Sequence, residues 1–129
     1  MKSRNWQGIN IHHSASMIGD VKKIRGWHLQ RGWNDIGYHF VITRNGGIEI
    51  GRPLSEIGAH NKGSNSTNIG ICLVGKGNIE KFNQSQYTAL VMLLRGLCNQ
   101  FDVSKDNISR HHEECPGINF NWTILEEVN

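Results

Sequence analysis

The sequence predicts an α/β fold, a single three-layer domain over residues 1–129 with a central mixed β-sheet flanked by helices. Three observations carry this. Strand-like and helix-like segments alternate with no linker between them. The run Ile69-Gly70-Ile71-Cys72-Leu73-Val74 is almost wholly apolar, as expected of a central strand buried on both faces. Tyr87, Leu90, Val91, Leu94, Leu97, Cys98 and Phe101 recur at helical spacing.

In chain order, Ile9 to Ser14 reads as a short strand with weak alternation. Asp20 is placed to cap a helix over about Val21 to Gln30, whose apolar face carries Val21, Ile24 and either Trp27 or His28, and Gly32 is placed to end it. Phe40-Val41-Ile42-Thr43 and Ile48-Glu49-Ile50 flank Arg44-Asn45-Gly46-Gly47, a hairpin signal with Asn-Gly at the turn. Gly51 to Asn68 is rich in Gly, Ser and Asn and reads as a long loop, a kind of segment that often carries function. After the Ile69–Val74 strand, Gly75 and Gly77 mark a turn. A helix from about Gln84 to Phe101 follows, with Ser85 near its capped start. Asn107 to Arg110 reads as a short strand, and Trp122, Leu125 and Val128 support a final short helix.

Composition narrows the class. A hydrophobic fraction of 37% with two prolines argues against disorder, and no apolar run approaches the roughly 18–20 residues of a membrane helix. The basic start Met1-Lys2-Ser3-Arg4-Asn5-Trp6 lacks the apolar stretch of a signal peptide. The net charge of +3 is scattered rather than clustered, so no nucleic-acid-binding arm is expected. Three cysteines, an odd number, do not suggest a disulfide framework. Cys72 and Cys98 fall on apolar faces and read as core residues.

Four of the seven histidines stand in two adjacent pairs, His12-His13 and His111-His112, and the second pair is followed by Glu113-Glu114-Cys115. A catalytic zinc site takes three ligands from His, Cys and carboxylates and keeps a fourth position for water. One His from each pair together with Cys115 makes such a set, because neighbouring strand residues point to opposite faces.

Further segments make the reading specific: Ile11-His12-His13-Ser14-Ala15-Ser16, Gly32-Trp33-Asn34-Asp35-Ile36-Gly37-Tyr38-His39-Phe40, Gly58-Ala59-His60-Asn61-Lys62-Gly63-Ser64-Asn65, Asn68 to Gly75, and His111-His112-Glu113 with Cys115-Pro116. In this order and spacing the chain resembles the zinc-dependent N-acetylmuramoyl-L-alanine amidases of type 2, which share their fold with peptidoglycan recognition proteins. The resemblance implies that His12, His111 and Cys115 hold Zn2+, and that His13 and His112 do not. It implies that Tyr38 acts beside the metal on the attacking water or the oxygen that gains charge. It also makes His60, and more weakly Asn65, residues of the substrate groove. The implied reaction is hydrolysis of the amide joining the lactyl group of N-acetylmuramic acid to L-alanine of the stem peptide.

One position departs from the pattern. Phage members carry a lysine two residues before the ligand cysteine; here Glu113 stands there, and the segment from His111 to Cys115 is shorter. Glu113 or Glu114 is then either a base or a carboxylate that holds His12 or His111 by a hydrogen bond.

The resemblance implies a peptidoglycan substrate, with no nucleic acid and no membrane insertion expected, and a monomer. The expected role is a phage endolysin that waits in the host cytoplasm and reaches the wall once a holin opens the membrane; a cytoplasmic amidase that recycles wall fragments fits the same features. Two other classes compete: a non-catalytic peptidoglycan-binding module of this fold, and a regulator of a phage RNA polymerase, a second role known for a phage member. At this length the catalytic fold is expected alone, without a wall-binding domain.

Overall fold

The first strand in the chain, β1 (Gly8–His13), lies inside the sheet rather than at its edge. The computed structural model describes residues 4–128, so the basic start at Met1–Ser3 lies outside the described residues. Helix α1 (Val21–Gln30) follows β1, then the hairpin β2 (Phe40–Ile42) and β3 (Ile48–Ile50), β4 (Asn68–Leu73), helix α2 (Gln84–Phe101), β5 (Ile108–Arg110), and a closing 3-10 helix over Trp122–Glu127. The five strands lie in the order β3-β2-β4-β1-β5. The β1–β4, β2–β4 and β1–β5 pairs are parallel and β2–β3 is antiparallel, which makes the sheet mixed.

Alternation along the strands builds two cores, one on each face. Ile9, Ile11, Ile69, Ile71 and Leu73 face α2 and pack against Leu90, Leu94 and Leu97. Cys72, Val74 and Val41 face the other way, against Val21 and Ile24 of α1. The result is helix, sheet and helix in three layers. Leu94 is fully buried, and removing its side chain would cost about 2–5 kcal/mol in lost transfer energy and cavity.

The ends of the elements follow from specific side chains. Asp20 Oδ1 accepts from Lys23 N–H at 2.8 Å and starts α1. Of the two candidates for its apolar face, His28 is the buried one. Asn83, not Ser85, caps α2: its side chain accepts from Gln86 N–H, and the Gln86 side chain reaches back to Asn83 N–H in a capping box. Ser85 already lies within the helix, so the pair that matters is Asn83 with Gln86. Gly46 supplies the positive φ of +86° that the hairpin turn requires. The last helix is 3-10 rather than α, started by Asn121 and packed against α2.

Candidate metal centre

Three separate pieces of backbone bring His12, His111 and Cys115 together. On β1, the alternation that sends Ile9 and Ile11 into the α2 core sends Asn10 and His12 to the opposite face. Strand β5 runs parallel to β1 with Arg110 beside Ile11, so the next residue, His111, emerges beside His12, with ring centroids 4.7 Å apart. A tight turn then folds back: Cys115 N–H donates to His112 O, and the His111 and His112 amides donate to Cys115 O. This returns Cys115 to β1, where His13 N–H points at its Sγ at 3.4 Å. The donor atoms of His12, His111 and Cys115 all lie within 4.8 Å of one another.

Hydrogen bonds separate the members of each pair. His13 Nδ1 accepts from Gly77 N–H at 3.0 Å, and His112 Nδ1 accepts from Glu114 N–H at 3.2 Å, so both rings have backbone partners. His12 Nδ1 instead faces Cys115 Sγ at 3.7 Å. A tetrahedral ion with Zn–S of ~2.3 Å and Zn–N of ~2.0–2.1 Å would hold sulfur and nitrogen about 3.6 Å apart, so this pair fits zinc. Burial pushes the Cys115 thiol up to about 11, with the His13 amide pulling the other way. Without a cation the sulfur stays protonated; a metal is the partner that makes a thiolate stable there.

Tyr38 stands next to this group, its ring 5.1 Å from that of His12 and 5.5 Å from that of His28. Burial, reinforced by Cys72 and Cys115, holds its phenol well above the ordinary range. At neutral pH it is therefore an O–H donor beside the candidate metal ligands.

His60 sits elsewhere than the resemblance implies. It is 7% exposed, and both ring nitrogens are occupied. Its Nε2 lies 2.8 Å from the Asn68 carbonyl and its Nδ1 lies 2.8 Å from His12 Nε2. A buried ring engaged at both ends is not the wall of an open groove. Burial also brings His60 down to about 4, so the ring is neutral at pH 7. Asn65 is half-buried, and its Oδ1 accepts from the backbone N–H groups of His60 and Asn61, both at 2.8 Å, which fixes the loop that carries His60.

Glu113 is exposed, and among the described residues its carboxylate bonds neither His12 nor His111; the holding role is not formed. It lines a cleft of about 490 Å³ together with Arg110, Glu114, Pro116 and Trp122.

Two residues of the site carry no motif. Asn10 is buried beneath it and ties three elements together, accepting from Asn61 and Asn68 and donating to Ser109 Oγ. His28 Nδ1 accepts from Gly37 N–H at 2.9 Å and so sets the bend that presents Tyr38. The signal for Asn10 was the polar-apolar alternation Ile9-Asn10-Ile11-His12, which puts it on the same face as the ligand.

The fold and this cluster of donors suit a class, the amidases that cleave peptidoglycan. A family model described as N-acetylmuramoyl-L-alanine amidase matches residues 2–118, and the chain belongs to that family. It is similar to the endolysin of Klebsiella phage KP32, with 42% identity over 89% of this chain and 80% of that one. It is also 41% identical to the endolysin of Escherichia phage T7, over 84% of this chain and 76% of that one. Among solved structures, the N-acetylmuramoyl-L-alanine amidase LysC from Clostridium intestinale superposes with a TM-score of 0.89 at 36% identity, covering 95% of this chain and 84% of that one. The protein is an N-acetylmuramoyl-L-alanine amidase, which hydrolyses the amide between N-acetylmuramic acid and L-alanine in peptidoglycan.

Proposed function

We propose that this amidase works as a zinc enzyme in a phage endolysin role, with His12, His111 and Cys115 as the ligands and Tyr38 and Glu113 as the catalytic side chains. The observation that carries the metal reading is the 3.7 Å approach of His12 Nδ1 to Cys115 Sγ in a site where a third nitrogen donor converges. When bound, zinc supplies a Lewis acid that activates water near neutral pH and polarises the scissile carbonyl.

The chain's own groups do the rest. The Tyr38 O–H donates to the carbonyl oxygen as charge builds on it, from a site dry enough to strengthen the bond. Glu113, exposed two residues before Cys115, takes a proton from the attacking water and passes one to the nitrogen of L-alanine as the C–N bond breaks. The products are the lactyl carboxylate and a free amino terminus on the peptide.

Peptidoglycan is the substrate, and the enzyme acts as a monomer without nucleic acid. The scattered charges, with no basic run, support the reading that no nucleic acid is bound. No helix among the described residues is long and apolar enough to cross a membrane. The likeness to phage endolysins supports a route to the wall through an opening made by a holin. Mass spectrometry of digested peptidoglycan, with and without a zinc chelator, tests reaction, bond and metal together. New alanine amino termini that vanish with chelator and return with zinc are expected; undiminished cleavage in zinc-free protein overturns the mechanism. Expression in host cells with and without a co-expressed holin tests the route to the wall, and lysis without the holin excludes it.

A further inference from the structure

The imidazole of His60 has only one arrangement of protons that satisfies its neighbours. The Asn68 carbonyl can only accept, so His60 Nε2 carries the hydrogen of that 2.8 Å bond. In the neutral ring Nδ1 is then a lone pair, and the 2.8 Å contact to His12 Nε2 requires His12 to donate. A neutral His12 with its hydrogen on Nε2 has its remaining lone pair on Nδ1, the atom that faces Cys115 Sγ. From the geometry we infer that His60 is a positioning residue for the metal centre: by accepting from His12 Nε2–H it fixes the tautomer and ring angle that turn His12 Nδ1 toward the ion. The inference rests on the zinc reading above and assigns to this site a residue that does not itself touch metal or substrate.

Three further observations show that the place is built. The His12 and His60 rings stand at 89°, and across that T-shaped pair His12 Nε2 meets the edge of the His60 ring at Nδ1, 2.8 Å away. The space for that ring is left by two glycines, since a Cβ on Gly70 would fall 2.5 Å from His60 Cγ and one on Gly58 would fall 2.7 Å from His60 Cδ2. The Asn65 side chain then locks the His60 backbone. The contrast with the other histidines is also informative. His13, His28, His39 and His112 each accept a backbone N–H at Nδ1, which directs that nitrogen to the protein. In His12 it is Nε2 that is held, which leaves Nδ1 for the metal.

The test uses the full chain and two readouts. The first is the ¹⁵N spectrum of the histidine rings in zinc-free wild-type protein, which reports the tautomer without any metal. His12 protonated at Nε2 and His60 protonated at Nε2 are expected; His12 protonated at Nδ1 overturns the inference. The second is zinc affinity by competition with a chromophoric chelator. His60→Leu is expected to weaken zinc binding roughly 10–100-fold. His60→Asn puts an acceptor oxygen where Nδ1 stands and is expected to recover most of that loss, although both variants lose the bond to Asn68. Thermal midpoints of the zinc-free variants serve as the measure of folding. Equal zinc affinity in wild type and His60→Leu, or equal losses in Leu and Asn, overturns the inference. A wild type that binds no zinc, or a His12→Ala variant that binds it as tightly, sinks the metal reading instead, and the tautomer measurement still decides the arrangement of the two rings.

Discussion

Gly70 of β4 lies beneath His60 so closely that a side chain at position 70 would collide with the ring, its Cβ coming within 2.5 Å of His60 Cγ and 2.6 Å of Cδ2. Strand geometry itself tolerates alanine, so the need for glycine here comes from the imidazole above it. Gly70→Ala is expected to destabilise the protein by about 1–3 kcal/mol, the usual cost of forcing a packed site apart. It should weaken zinc binding as well, because the displaced ring is the one bonded to His12. Denaturant titration and chelator competition on the same variant check both effects; a variant unchanged in both would mean the ring has room to move.

The ligand set makes a sharper demand. His12→Ala and Cys115→Ser are each expected to abolish wall lysis and lower bound zinc, with the circular dichroism of the sheet and helices retained. Elemental analysis of the purified variants reads the metal directly. Full zinc occupancy in Cys115→Ser would show that the sulfur is not a ligand.

Removal of the Tyr38 hydroxyl touches chemistry without touching the ligands. Tyr38→Phe is expected to reduce kcat by about 10²–10³-fold, the cost of losing one donor to a developing oxyanion, with zinc content unchanged. Steady-state kinetics on soluble muropeptide separate kcat from KM. A loss confined to KM would place the hydroxyl on the bound substrate instead.

Glu113→Gln keeps the shape of the cleft and removes the carboxylate. A fall in kcat of about 10²-fold or more is expected if it carries the proton. A pH–rate profile completes the test, since the limb governed by this group should disappear. An unchanged profile would shift the role to Glu114, the other carboxylate in the same cleft.

Acid stability follows from the buried histidines. Burial, with Arg31 and Arg52 adding to it, brings His28 down to about 4. Its ordinary value in the unfolded chain is near 6.5. Between those values the unfolded chain binds the extra proton, so stability falls as pH drops from about 6.5 toward 4 and the loss is complete below that. The span limits this contribution to about 3 kcal/mol. His28→Gln should flatten the dependence of the unfolding midpoint on pH over this window. His60, also near 4, keeps part of the slope. A slope identical to wild type would show that His28 is not held neutral.

The elements that the sequence disclosed well are those whose signal is local. The Asn45-Gly46 turn, the Val21–Gln30 and Gln84–Phe101 helices and the apolar β4 strand each follow from nearest neighbours along the chain. The start of α2 was less legible: the sequence reading places Ser85 near the cap, whereas Asn83 caps the helix through its reciprocal bond with Gln86, a pairing the hydropathy pattern does not carry. Within the site, periodicity alone left each histidine pair open, since it cannot say which nitrogen has a backbone partner. Gly77 takes up His13 and Glu114 takes up His112 through contacts that only the folded chain makes. His60 was harder still. A histidine in a Gly-, Ser- and Asn-rich loop has the look of a solvent-facing residue, and what buries it is the absence of side chains at Gly58 and Gly70. Missing atoms leave little trace in a hydropathy pattern.

Strand β1 sits between β4 and β5, although it is made before either. Its two neighbours come from the middle and the far end of the chain, with Gly8 beside Asn68 and Ile9 beside Ile108. Closing such distant pairs is entropically slow, so folding of this chain should be governed by topology more than by its quick-forming helices. His12 lies on β1, whereas His111 and Cys115 lie just past the far end of β5 and in the turn after it. The three donors therefore meet only once the slowest pairing of the sheet has closed, so the candidate metal centre reports on completed folding rather than on any one element.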